Sequence, residues 1–197
     1  MKTLLLMRHA KSSWKHPDNP DDERPLNKRG KKDAPLMGNL IKEKELIPQC
    51  ILCSTAKRAT ETADLVLKTL EFKGEVDYLD SFYMAEPNVY LEGLHSLPDE
   101  IERVMVIGHN PGLEGLLQIL IGRVESLPTG SIAHIILPVN QWKELNLDIE
   151  GELVEKISPE DLKGKAKEKP KEKDKAKGKD KEKAKGKEKE KEKGKKK

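Results

Sequence analysis

Cysteine is scarce in this chain: Cys50 and Cys53, spaced as C-x-x-C, are the only two among 197 residues. No second pair exists to complete a tetrahedral zinc site. The run Cys50-Ile51-Leu52-Cys53 also has the character of a buried strand, in which residues three apart point to opposite faces. These are therefore expected to be core cysteines rather than a zinc or redox pair. Long hydrophobic runs are missing as well. The apolar stretch Leu4-Leu5-Leu6-Met7 ends at Arg8, roughly half the length of a secretory core and without a small-residue cleavage site. No other stretch is long enough to span a bilayer. The expectation is a short buried first strand in a cytoplasmic protein with no membrane span.

Past Leu162 the chain lacks every aromatic and, Pro170 apart, every apolar side chain larger than Ala. Residues 163–197 hold nineteen Lys and eight acidic residues, a net of +11, leaving 19 basic and 27 acidic residues in 1–162, a net of −8. The overall +3 thus averages two unlike parts. A segment with nothing to bury cannot offset the entropy cost of ordering. The sequence accordingly divides into a domain at 1–157 and a disordered Lys/Glu-rich tail at 158–197. Such a tail suits weak, nonspecific contact with a polyanion. Sequence-specific nucleic-acid recognition is excluded, because no aromatic ring is available to stack on a base.

Apolar periodicity up to about residue 150 alternates strands with helices. Strands are expected at Thr3–Met7, Cys50–Cys53, Val76–Leu79, Arg103–Ile107 and Ile132–Leu137, with a last one at Leu145–Ile149. Helical faces are formed by Leu36, Met37, Leu40 and Ile41, by Ala59, Ala63, Val66, Leu67 and Leu70, and by Leu113, Leu116, Leu117, Leu120 and Ile121. A further helix is expected within Val89–Leu97. Ser54 and Thr55 are good N-caps for the second helix, and Pro111 suits the first turn of the fourth. This order predicts an α/β fold, a three-layer α/β/α sandwich with a mostly parallel sheet. Ligands of such sheets bind beyond the carboxyl ends of the strands.

Three strand ends carry unusual residues: Arg8-His9-Ala10-Lys11-Ser12, Ser54-Thr55-Ala56-Lys57-Arg58 and Gly108-His109-Asn110. Two Arg and two His in one crevice repel one another and serve stability poorly. They suit a phosphoryl dianion, whose oxygens match guanidinium forks and helix N-termini. The same arginines would repel a metal cation, so no metal and no cofactor is expected.

In this order the segments resemble a known family. Met7-Arg8-His9-Ala10-Lys11-Ser12 looks like the Arg-His-Gly signature of the histidine phosphatase superfamily, in the form of its SixA-like phosphohistidine phosphatase branch. Arg24-Pro25-Leu26-Asn27-Lys28-Arg29-Gly30, Ser54-Thr55-Ala56-Lys57-Arg58-Ala59-Thr60-Glu61-Thr62-Ala63 and Gly108-His109-Asn110-Pro111 are similar to its later segments. The resemblance spans residue 1 to about 150 and implies a phosphoglycerate mutase-like fold. It also implies that His9, kept neutral, accepts the phosphoryl group while Arg8, Arg58 and a protonated His109 hold the equatorial oxygens. Arg24 either joins this phosphate-binding clamp or pairs on the surface with Asp21, Asp22 or Glu23. Ser12 either touches the anion or caps its loop.

Ala10 departs from the signature's Gly, at little cost where φ is negative. For a proton donor, Glu86 is the nearest candidate and Asp80 another. A phosphoramidate needs less from an enzymatic acid than an alkyl ester does. Fifty residues separate Arg58 from His109, leaving little chain for a capping insertion, so an open cleft is expected. Three functions follow: a metal-independent phosphatase acting on phosphohistidine in proteins, a phosphatase of a small phosphomonoester, or a phosphate-binding module that delivers the basic tail. A mutase fits less well, since it needs an enclosed site. Oligomeric state is not legible in the sequence.

Overall fold

Strand β1 (Lys2–Arg8) is buried on both faces from Leu4 to Met7, which is why its sequence runs apolar without alternation. The computed structural model describes residues 1–15 and 17–168. In it β1 is flanked by β4 (Arg103–Gly108), parallel, and β5 (Ile132–Leu137), antiparallel. With β2 (Cys50–Ser54), β3 (Glu75–Leu79) and β6 (Glu152–Ile157) they form a six-stranded sheet of order β3-β2-β4-β1-β5-β6. The four strands β3, β2, β4 and β1 are mutually parallel, so their carboxyl ends share one edge.

Four helices cover the sheet. On one face Leu4, Leu6, Leu52, Val104 and Val106 share a core with Tyr90 and Leu94 of α3 (Pro87–His95) and Leu113, Leu116 and Leu120 of α4 (Gly112–Ile121). The alternate residues, such as Leu5, face the layer formed by α1 (Gly30–Glu43) and α2 (Lys57–Leu70), which pack on each other. The result is the mostly parallel three-layer α/β/α sandwich expected from the sequence. Cys50 and Cys53 are free and buried; burial pushes the Cys50 thiol up to about 11 and that of Cys53 higher still. Among the described residues no helix is long and apolar enough to cross a membrane.

The structure corrects several sequence expectations. Leu145–Ile149 is not a strand. Asn146 Oδ1 accepts the Asp148 N–H at 2.8 Å, a local turn that competes with pairing, and the last strand is β6. As an edge strand, β6 has no fully buried residue and gives only a weak apolar signal. Helix α1 begins at Gly30 and contains Pro35; of its expected apolar face, Met37 and Ile41 are buried but Leu36 is exposed. Asn27 organises that start, its Oδ1 accepting the N–H groups of Arg29 and Gly30 at 2.9 Å each. A Cβ at Gly30 would strike the Lys11 carbonyl oxygen, so glycine lets this helix end approach the loop after β1.

Neither Ser54 nor Thr55 caps α2. Its N-cap is Ala56, without a side-chain bond, because the Ser54 hydroxyl lies two residues back and accepts the Ala56 N–H at 3.3 Å. The segment 158–197 also departs from expectation at its start, where Pro159–Glu168 forms a helix, α5. Pro at the first position and Glu160 and Asp161 in the first turn favour helix there. The rest of that segment lies outside the described residues.

Candidate active site

The order β2-β4-β1 sets three of the unusual strand ends side by side. Arg8 closes β1 opposite Gly108, the last residue of β4, and the His9 N–H donates to the Gly108 carbonyl at 3.1 Å. Arg58 sits in the first turn of α2, immediately beyond β2. A cleft of about 250 Å³ opens at this edge, lined by Arg8, His9, Arg24, Arg58 and His109 together with Asp21. All of the expected phosphate ligands therefore meet in one place.

His9 is 8% exposed and its Nδ1 lies 2.7 Å from the Ala10 carbonyl oxygen. A carbonyl can only accept, so Nδ1 carries the proton and Nε2 is left with its lone pair. Burial, followed by the charges of Arg58, Arg8 and Arg24, lowers the His9 pKa to about 4 against the opposing bond to Ala10. The ring is neutral at pH 7, as a nucleophile must be. Ala10 is not among the described residues with positive φ, so its Cβ is tolerated where the signature has Gly. Its N–H donates to Thr62 Oγ1 at 3.0 Å, and that hydroxyl donates to the Arg58 carbonyl at 2.6 Å. One threonine thus ties the nucleophile's loop to the helix carrying Arg58.

His109 is held by two contacts. Its backbone N–H donates to the buried Tyr90 hydroxyl at 3.1 Å, and its Nε2 lies 2.8 Å from Ser54 Oγ. A Cβ at Gly108 would collide with that Tyr90 hydroxyl, so the glycine preceding His109 lets the tyrosine reach it. The His9 and His109 rings lie 5.1 Å apart. Burial first, then His9 and Arg58, push the His109 pKa down to about 3. It is therefore neutral in this structure, whereas the sequence reading expects a protonated ring; a bound dianion would reverse the sign of its surroundings. His109 Nδ1 and Arg8 Nε, both in residues that line the cleft, have no hydrogen-bond partner within the protein.

Arg24 is buried rather than on the surface. It lines the cleft, and it pairs with Asp21 Oδ1 at 2.5 Å. Its other donors reach Ser12 Oγ at 2.8 Å and the Ser13 carbonyl at 3.2 Å, while its guanidinium covers the Trp14 ring at 3.2 Å. Ser12 thereby holds Arg24 from within the cleft. The Arg24 loop is pinned by a bridge between Ser12 and Leu26 and by Glu61, which accepts the Leu26 N–H at 2.8 Å.

Asp21 was not singled out as a site residue by sequence reasoning. Besides Arg24, its Oδ2 meets Arg58 at 3.0 Å and the Tyr83 hydroxyl at 3.1 Å, and its carbonyl accepts from Arg58 at 2.6 Å. The signal available was three acids directly ahead of Arg24. Glu86 and Asp80 are exposed, and neither lines the cleft; Glu86 instead opens α3, with Pro87 fixing the chain direction there. Among the described residues no three His, Cys, Asp or Glu side chains gather as metal donors.

Comparison with known proteins agrees with this geometry. Residues 4–82 match the family model of the histidine phosphatase superfamily (branch 1). An uncharacterised chloroplastic protein of Arabidopsis thaliana is 32% identical over 153 residues, which are 73% of this chain and 70% of that protein. A SixA protein of Agrobacterium tumefaciens superposes with a TM-score of 0.70 at 27% identity, covering 80% of this chain and 98% of that one. The protein histidine phosphatase SixA complexed with tungstate superposes with a TM-score of 0.69 at 24% identity, covering 81% of this chain and 99% of that one. On fold, motif order and sequence, this chain belongs to the histidine phosphatase superfamily.

Proposed function

We propose that this protein is a metal-independent phosphatase that hydrolyses phosphohistidine in proteins by way of a phosphoryl group carried on His9. The observation that carries the reading is the fixed tautomer of His9: Nδ1–H bound to the Ala10 carbonyl leaves the Nε2 lone pair free in a cleft with three arginines. In the first step Nε2 attacks phosphorus in line, the P–N bond to His9 forms and the bond to the leaving group breaks. In the second, water attacks the same phosphorus, the electron pair of the P–Nε2 bond returns to His9, and inorganic phosphate departs. Arg8, Arg58 and Arg24 neutralise charge on the equatorial oxygens. His109 becomes a donor as the dianion binds and raises its affinity for a proton.

The substrate class is supported by the open cleft, whose rim carries the exposed Trp14 and Met84, 72% and 65% accessible. A side chain projecting from a polypeptide can enter such a mouth. The resemblance to the phosphohistidine phosphatase SixA points the same way, as does the position of Glu86 outside the cleft, since a phosphoramidate leaves with little acid assistance. The test is a hydrolysis panel in EDTA, comparing a phosphohistidine peptide with aryl and alkyl phosphomonoesters. The peptide should have the highest kcat/KM. A clear preference for an alkyl ester would move the substrate to a small phosphomonoester, and no turnover of any would leave a phosphate-binding module.

A further inference from the structure

Asp21 is a carboxylate placed at an anion site, where it repels the phosphoryl group that the arginines attract. Its side chain is 42% accessible, while His9, Arg58 and His109 beneath it are 8%, 4% and 3% exposed. Two guanidiniums and one phenol hold it there. Burial raises its pKa, but the Arg24 hydrogen bond and the Arg58 charge outweigh this and leave it below the usual carboxylate range. It is ionised at pH 7 and can only accept hydrogen bonds. Oδ1 takes one bond from the protein and Oδ2 takes two, so Oδ1 keeps acceptor capacity.

In-line attack from the cleft floor drives the leaving group toward the mouth, because nucleophile and leaving group occupy opposite apices of the phosphorus. The leaving group therefore departs outward, past the more exposed groups that line the cleft, Asp21 among them. We propose that Asp21 determines specificity by accepting a hydrogen bond from the protonated ring of the departing histidine, selecting cationic phosphoramidate leaving groups over anionic alkoxides and phenoxides. This rests on the phosphohistidine reading above. The substrate ring carries a proton on the nitrogen that does not bear phosphorus. As the P–N bond to His9 forms, the substrate's own P–N bond breaks and its electron pair stays on that ring nitrogen. The ring leaves as neutral imidazole, still bearing its proton, so no acid has to deliver one. Asp21 stabilises the cationic form from which this departure occurs, and the same charge opposes an oxygen leaving group that gathers negative charge.

The test compares kcat/KM for a phosphohistidine peptide and for an aryl phosphate in the wild type, Asp21→Asn and Asp21→Glu. In Asp21→Asn the phosphohistidine value should fall about tenfold or more, as for loss of a charged hydrogen bond. The aryl phosphate value should rise, because a like charge beside the dianion is gone. Asp21→Glu, which keeps the charge, should recover part of the ratio. An equal fall for both substrates in a folded Asp21→Asn protein would make Asp21 merely a prop for Arg24 and Arg58 and overturn the proposal. So would an unchanged ratio. If the wild type itself leaves phosphohistidine intact, the proposed function fails first and this proposal with it.

Discussion

His9 and His109 lie with ring centroids 5.1 Å apart at an interplanar angle of 52°, and in this buried, arginine-rich cleft His9 adds to the burial that lowers the affinity of His109 for a proton. The folded-state values are about 4 and about 3, against roughly 6.5 for an unfolded histidine. Between pH 6.5 and these values the unfolded chain binds more protons, so stability is fully present above about 6.5 and is lost as pH falls toward 4. Two-dimensional NMR of the ring resonances should find both histidines neutral at pH 5.5, and the thermal midpoint should drop between pH 6.5 and 4. Inorganic phosphate should raise the pKa of His109. Either ring titrating near 6.5 in phosphate-free buffer would contradict the electrostatic account.

The guanidinium of Arg58 spans two partners, the backbone carbonyl and the carboxylate of Asp21, while still lining the cleft. Arg58→Lys keeps the charge but cannot span both and reach phosphate oxygens as well. Turnover should fall on the order of 10²-fold or more, read as kcat with saturating aryl phosphate. A rate near that of the wild type would mean that Arg58 contributes only positive potential.

Tyr90 sets the position of His109 from beneath, accepting its backbone N–H and donating to the Phe82 carbonyl at 3.3 Å. Tyr90→Phe preserves the ring packed edge-on against Phe82 at 4.6 Å but leaves the His109 N–H buried and unpaired. Chemical denaturation should show a loss of about 1–3 kcal/mol, with a lowered kcat. Unchanged stability would show that another group, such as water, satisfies that N–H.

Much of this site is legible in the sequence because its residues are fixed by chain direction. Arg8, His9, Arg58 and His109 follow the ends of apolar strands, and in a parallel sheet those ends meet at one edge. Arg24 stayed undecided, because its role depends on which partner its loop folds against, and the bonds of Leu26 and Asn27 that settle this join segments distant in sequence. Asp21 was hidden for the same reason, one of three adjacent acids with nothing local to distinguish it. Thr62 stood within a recognisable helix start, yet only the fold reveals its bond to the Ala10 N–H. Strand β6 is hard to read because the charged Glu152, Glu155 and Lys156 interrupt its apolar residues. Leu145 imitated a strand because it is buried in the core from a turn.

The central claim is that His9 Nε2 accepts the phosphoryl group. Rapid acid-free quenching during turnover of an aryl phosphate, followed by mass spectrometry under conditions that preserve phosphoramidates, tests it directly. The expected result is one acid-labile phosphoryl group on His9, absent from a folded His9→Ala protein that no longer turns over substrate. Full turnover by His9→Ala, or a phosphoryl group trapped on another residue, would contradict the account.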